Sequence, residues 1–366
     1  MKKNKRLCGI TAIAAVIVCA VMLMTGCDDG GGDDGSGGAT IYIAGAHDNN
    51  DYHSDLERIP CYWTGTTRTD LQVPAGTDRG YVNAITVSGG TVYTAGSYRS
   101  SDKQTACYWT GTTRTDLQVP AGTDYGSVSA ITVSGGTIYT AGGYRSSDKE
   151  TACYWTGTTR TDLQVPAGAE GGSSAITVSG GTIYTAGVYW YYDTTSNDII
   201  SIPCYWTGTI RTSLPIPTGV SYVSTTSIAV SGGTIYTAGQ YISSSGKSTA
   251  CYWTGTTRTD LQVPAGAESG VFSITVSGGT VYTAGGYSSG PCYWIGTTRT
   301  DLPIPTGVND GLVFAITVSG GTVYTAGSYN SAGETILCYW TGTTRTDLPI
   351  NEGAVSVNAA TIAVVQ

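Results

Sequence analysis

The chain has 366 residues, of which 12% are charged and 40% hydrophobic, with 52 glycines and a formal charge of −8. That length suits one large repeat domain or two ordinary ones, and sparse charge with abundant Gly, Thr, Val and Tyr points to an all-β protein rich in tight turns. The acidic balance argues against nucleic acid as a partner and against charge-driven adhesion to an anionic membrane.

At the N-terminus, Lys2, Lys3, Lys5 and Arg6 precede an apolar run, Ile10–Met24, that is too short to span a bilayer comfortably. Leu23-Met24-Thr25-Gly26-Cys27 then resembles a bacterial lipobox, with Met24 where Leu is usual. Residues 1–26 are expected to be a lipoprotein signal peptide and Cys27 the acylated residue. Two or more acyl chains there would anchor the chain stably. Residues 27–39 carry DDGGGDDGSGG, which cannot pack and reads as a flexible acidic tether. Cleavage would remove four basic groups and no acidic ones, so 14 basic against 26 acidic groups leave −12. The expected location is the bacterial cell membrane or outer membrane, with the domain outside the cytoplasm and the lipid as its membrane contact.

From residue 40 to 366 one unit repeats. A Cys-Tyr-Trp core starts at Cys61, Cys107, Cys153, Cys204, Cys251, Cys292 and Cys338, at spacings of 41 to 51 residues. Such a period, built of strand-like runs, indicates a propeller or a solenoid. In the third copy, Ala130–Ser134, Thr137–Gly142, Ala152–Thr156 and Arg160–Pro166 read as four strands joined by Gly-rich turns. Alternation puts Cys153 and Trp155 on one face and Tyr154 on the other, and neither face is charged. Two semi-apolar faces suit sheets stacked face to face.

The head of this region, Thr40–Gly45, is a second strand with no first strand before it. Ala354–Asn358 at the tail offers a first strand, so the fold expected is a seven-bladed β-propeller with the C-terminal strand completing the first blade. Thr361–Val365 resembles an eighth second strand, either paired over Thr40–Gly45 or capping the ring. The seven repeat cysteines are an odd set in separate blades, and free buried thiols are expected.

The first-to-second and third-to-fourth turns barely vary, whereas the other two connections vary widely and share one face. Loops on a rigid scaffold commonly bind. That face is expected to carry an aromatic series, His47, Tyr98, Tyr144, Tyr189, Tyr241, Tyr287 and Tyr329, joined by Trp190, with acids Asp78, Asp124, Glu170, Glu268 and Asp310 nearby. Rings beside carboxylates can stack on a sugar or hold a peptide, or each Tyr can simply pack against its own loop and donate a hydrogen bond. The recurring Arg-Thr-Asp trio is too uniform for an active site and is expected to be structural. HDNNDYHSD, with His47 and His53, lacks the Gly and closing Glu of a calcium loop. No zinc spacing, nucleophile elbow or phosphate loop occurs, so no metal, cofactor or catalytic residue is expected.

The units VSGGTVYTAG and CYWTGTTRTDL resemble those of bacterial propeller lipoproteins, spirochaete ones included, and are loosely similar to kelch repeats through Gly-Gly and one Trp per blade. They depart from kelch because Gly-Gly precedes the second strand. The resemblance covers about residues 40–366 and implies an exported, lipidated seven-bladed propeller without implying an activity. The function expected is a monomeric, lipid-anchored binding or adhesion module for a glycan or protein. An envelope assembly scaffold and a glycan-cleaving enzyme are the alternatives.

Overall fold

The computed structural model of the protein describes residues 40–48, 58–65, 67–147, 149–308, 310–331, 334–348 and 357–365. The expected signal peptide, Cys27, the tether, His53 and residues 354–356 lie outside them. All elements described are β-strands. In the repeat that carries Trp155 they are Tyr125–Ser134, Thr137–Ser146, Lys149–Thr156 and Thr159–Asp162, each antiparallel to the next. The repeats of Trp206, Trp253, Trp294 and Trp340 form separate four-stranded sheets of the same order. The earlier repeats have the same internal pairing but are linked by single parallel bridges, Arg58 to Arg79 and Gln104 to Tyr125. The architecture is a propeller-type array of small antiparallel sheets.

The turns follow from glycine. Gly135 and Gly136 have φ of 55° and 75°, the two left-handed residues that a type I′ hairpin requires. A second glycine requirement lies inside the sheet. The inner strand bulges between Val128 and Ala130, which brings the Ser127 carbonyl over Gly142. A Cβ on Gly142 would overlap that oxygen, and the glycine of each following Thr-Ala-Gly meets the same obstacle.

Strand lengths differ from the expectation. The inner strand begins at Tyr125 rather than Ala130, and the second runs to Ser146 rather than Gly142. Segments read as variable loops therefore continue the ladder, as in Arg99 opposite Gln104. Conversely, the outer strand stops at Asp162, and the chain beyond leaves the sheet.

Neighbouring sheets meet through their unlike faces. Ala106, Tyr108 and Leu117 of one repeat pack on Ile131, Cys153 and Trp155 of the next. Six of the motif indoles also reach back one repeat. Trp155 Nε1 donates to the Gln118 carbonyl at 2.8 Å, and Trp109, Trp206, Trp253, Trp294 and Trp340 make the same bond at 2.7–3.0 Å. Polar side chains link inner strands directly, as Asn83 Nδ2 donates to the Val128 carbonyl at 2.7 Å. Opposite each of these tryptophans lies a fully buried threonine, for example Thr140, whose hydroxyl has no partner. Ile43 occupies that position beside Trp63, so an apolar side chain fits there.

The seven repeat cysteines are fully buried thiols, none of them in a disulfide. Burial pushes those from Cys107 to Cys338 well above their ordinary range, which leaves them inert as nucleophiles.

The two ends of the described chain meet. Val357–Val365 lies antiparallel to Thr40–Asp48, with Ile362 opposite Ile43 and Val365 opposite Thr40. Of the two placements expected for Thr361–Val365, pairing over Thr40–Gly45 holds and capping does not, but its likeness to an eighth second strand is corrected. It is the inner strand, and its bulge opposite Ala44 and Gly45 matches the bulge in the other repeats. The register follows this bulge, which a simple match of Ala354–Asn358 to AITVS does not anticipate. Beside it, Ile41, Ile43, Cys61 and Trp63 share a core with Ala315, Ala326, Leu337 and Leu348 from the last repeat.

Candidate functional site

The tyrosine series occupies the second strands, where its rings and hydroxyls are already engaged. Tyr98, Tyr144, Tyr189, Tyr241 and Tyr329 are buried, and Tyr287 is half-buried. Tyr144 donates to Asp162 at 3.1 Å while the Arg160 guanidinium lies 4.6 Å from its ring centre and pairs with Asp162 at 2.8 Å. Tyr98, Tyr241 and Tyr329 repeat the arrangement on Asp116, Asp260 and Asp347. Tyr287 lies under Arg299 at 4.3 Å. In the repeat without the acid, Tyr189 and Arg211 both reach Ser213. Burial, and then the bond to Asp347, push the Tyr329 hydroxyl up to about 12. The Arg-Asp trio thus clasps the tyrosine of its own repeat, contributing modestly where the arginine is partly exposed. His47 pairs with Ile59 and Val357 within the first sheet.

A cavity of about 940 Å³ opens at the other end of the strands from the Gly-Gly turns. Its wall comes from six repeats, those of Trp63, Trp109, Trp155, Trp206, Trp253 and Trp340. None of the seven members of the aromatic series lines it, but Trp190 does. The physical reason is the period of two: Trp190 follows Tyr189 and so projects from the opposite face of the hairpin. Ser201 pairs with Trp190, and Ile199 lies two residues earlier on the same face. Both join it in the wall.

Much of the wall falls at positions where the repeats disagree, although the invariant Gly142 and Gly187 also line it. Three residues before each repeat Cys stand Arg58, Gln104, Glu150, Ser201, Ser248, Ser289 and Thr335. Arg58, Gln104, Glu150, Ser201 and Thr335 of that set line the cavity. The inner-strand residue just before the bulge pair varies likewise, with Tyr81, Ser127, Gly172, Ser224 and Leu312 in the wall. The signal legible in the sequence was therefore disagreement among otherwise near-identical repeats.

Glu150 is the acid of this wall. Burial raises its carboxyl above the usual carboxylate range, Arg145 opposes that shift, and Glu170 adds to it. Arg145 Nη2 lies 3.7 Å from Glu150 Oε2 and its guanidinium 5.6 Å from the Tyr125 ring centre. Burial also raises the Tyr125 hydroxyl, with Glu150 adding to the shift. Glu170 is engaged elsewhere, accepting from the Glu150 backbone amide at 2.9 Å. Two other acids from the expected set also serve the backbone or a neighbour: Asp78 accepts from the Ser101 amide, and Asp310 from Asn330. Among the described residues no group of His, Cys, Asp and Glu is placed to hold a metal ion.

No protein-family model and no curated protein matches the sequence. Among solved structures the chain is similar to the β-propeller domain of the Trilobed protease from Pyrococcus furiosus, described as having an open velcro topology. The TM-score is 0.52 at 9% identity, covering 86% of this chain and 94% of that one. It is also similar to the Pyrococcus horikoshii acylaminoacyl peptidase, with TM-score 0.50, 11% identity, and 85% of this chain and 51% of that one covered. A puromycin-hydrolyzing peptidase of Mycobacterium tuberculosis gives TM-score 0.47 and 14% identity, covering 75% of this chain and 47% of that one. The chain spans about half the length of these two peptidases. The likeness is one of fold, a propeller-type array of antiparallel sheets.

Proposed function

We propose that the seven repeats close into a seven-bladed propeller, held outside the cytoplasm by a lipid on Cys27, and that this propeller is a binding module seating a glycan in its central cavity. Closure is supported by the core shared between the Trp63 and Trp340 repeats and by the packing of the inner strands in sequence. Val357–Val365 contacts both Gly311–Ser319 and Arg79–Ser88. The anchor rests on the N-terminal sequence.

The observation that carries the glycan reading is the composition of the cavity wall. Variation among repeats is concentrated there, and it sets the aromatic side chains of Tyr81, Tyr125, Trp190 and Tyr222 beside hydroxyls and amides. Rings stack on sugar faces while scattered polar groups meet hydroxyls. A peptide would instead look for a free strand edge or deep side-chain pockets. Binding without cleavage is favoured because Glu170, the acid whose charge acts on Glu150, holds a backbone amide and is not among the residues lining the cavity as a second catalytic carboxylate would be.

The test uses the full-length chain in detergent on an array of envelope and matrix glycans. Trp190→Ala is expected to weaken binding about tenfold, near 1.4 kcal/mol, with the melting temperature unchanged. Equal binding by the variant would remove the cavity as the site.

A further inference from the structure

Within that glycan reading, on which this step rests, we infer that the cavity selects a sugar carrying a free, positively charged amino group, seated between Glu150 and Trp190. The two side chains come from adjacent repeats and converge on Gly172. A side chain there would touch the Trp190 ring at 3.7 Å and Glu150 Oε1 at 3.8 Å, so glycine leaves the floor between them open. Gly143 opens the other side, since its Cβ would approach Glu150 Oε1 at 4.0 Å.

Oε1 itself receives no hydrogen bond among the described residues. Arg145 approaches the other oxygen at 3.7 Å, and its side chain is 49% exposed, so solvent screens that pairing. Glu170 adds a second negative charge close behind. An under-paired carboxylate oxygen in a partly dehydrated cavity, with the Trp190 indole across Gly172 from it, suits an ammonium group. The carboxylate supplies the counter-charge and the ring a cation–π surface. A neutral sugar gains the stacking but leaves the carboxylate poorly satisfied.

Calorimetric titration of the full-length chain at pH 6 separates the alternatives, using a tetramer of β-1,4-linked glucosamine, its fully N-acetylated counterpart and tetralysine. The glucosamine tetramer is expected to bind roughly tenfold more tightly than the acetylated one, as for a close charge pair at an interface. Glu150→Gln is expected to bring that ratio close to one, with an unchanged melting curve showing that the variant folds. Equal binding of the two tetramers by the intact chain would overturn the ammonium seat and leave the glycan reading standing. Binding of neither would overturn both. Tetralysine binding as tightly as the glucosamine tetramer would replace the amino sugar by a cationic peptide. A tenfold preference that survives in Glu150→Gln would remove Glu150 as its source.

Discussion

A chain that ends before Val357 is expected to melt about 10 °C or more below the intact protein and over a broader range. The strand lost is the inner strand of the first sheet. Its removal strips the backbone partners from one edge of Thr40–His47, leaves the ladder to Arg58–Thr64 in place, and opens two interfaces at once, because it contacts inner strands on both sides. Ala363 also packs into the core containing Ile85 and Trp109. Losing a strand in this way costs more than about 4–5 kcal/mol, the upper end for single substitutions, and such losses lower the midpoint of a large domain by a few degrees per kcal/mol. A linear stack would shed an end unit without disturbing the remainder. Differential scanning calorimetry reads the difference, and a peptide of residues 349–366 added in excess should restore the transition. An unchanged melting curve in the truncated chain would show that the strand contributes little.

Trp155→Ala is the second large effect. The indole is fully buried between two sheets and bonded to Gln118 of the preceding repeat. Its loss should cost about 3–5 kcal/mol, as for other buried aromatic truncations. Trp155→Phe keeps much of the packing and should cost less, with the missing hydrogen bond accounting for about 0.5–1.5 kcal/mol. Trp63 provides an internal comparison, being 7% exposed where the other six motif tryptophans are all but fully buried. Trp63→Ala should therefore be the mildest of the series. Urea titration of these variants orders them, and equal costs at Trp63 and Trp155 would show that burial between sheets is not the determinant.

The blade-like unit was legible because its core residues repeat. Alternation around Cys153 and Trp155 gave the third strand, and Gly135-Gly136 gave the hairpin. The cavity-side ends of the strands were not legible, because Arg99 and Gln104 pair across a polar, partly solvated surface that leaves no apolar pattern. Alternation failed in a second way at the tail. The inner strand contains a bulge, so its apolar residues change phase, and Thr361–Val365 looked like another element. At the site, aromatic identity alone does not separate the engaged tyrosines from Trp190, and strand parity does. Tyr144 and Tyr189 share a face with the structural tryptophans and meet Arg and Asp or Ser there, whereas Trp190, one residue on, faces the cavity. Glu150 and Gln104 carried a signal available in the sequence, since they stand at a fixed distance before cysteines whose surroundings otherwise hardly change. The convergence of Glu150 and Trp190 on Gly172 depends on sheets from two repeats meeting, which a reading of one repeat at a time does not reveal.

Closure of the ring is tested most directly by hydrogen exchange of segment 357–365 in the intact, full-length chain. A strand held between the first sheet and both neighbouring inner strands should exchange its bonded amides as slowly as Arg79–Ser88. Exchange of the whole segment within seconds, at the rate of an unpaired tail, would contradict a closed propeller and the central cavity with it.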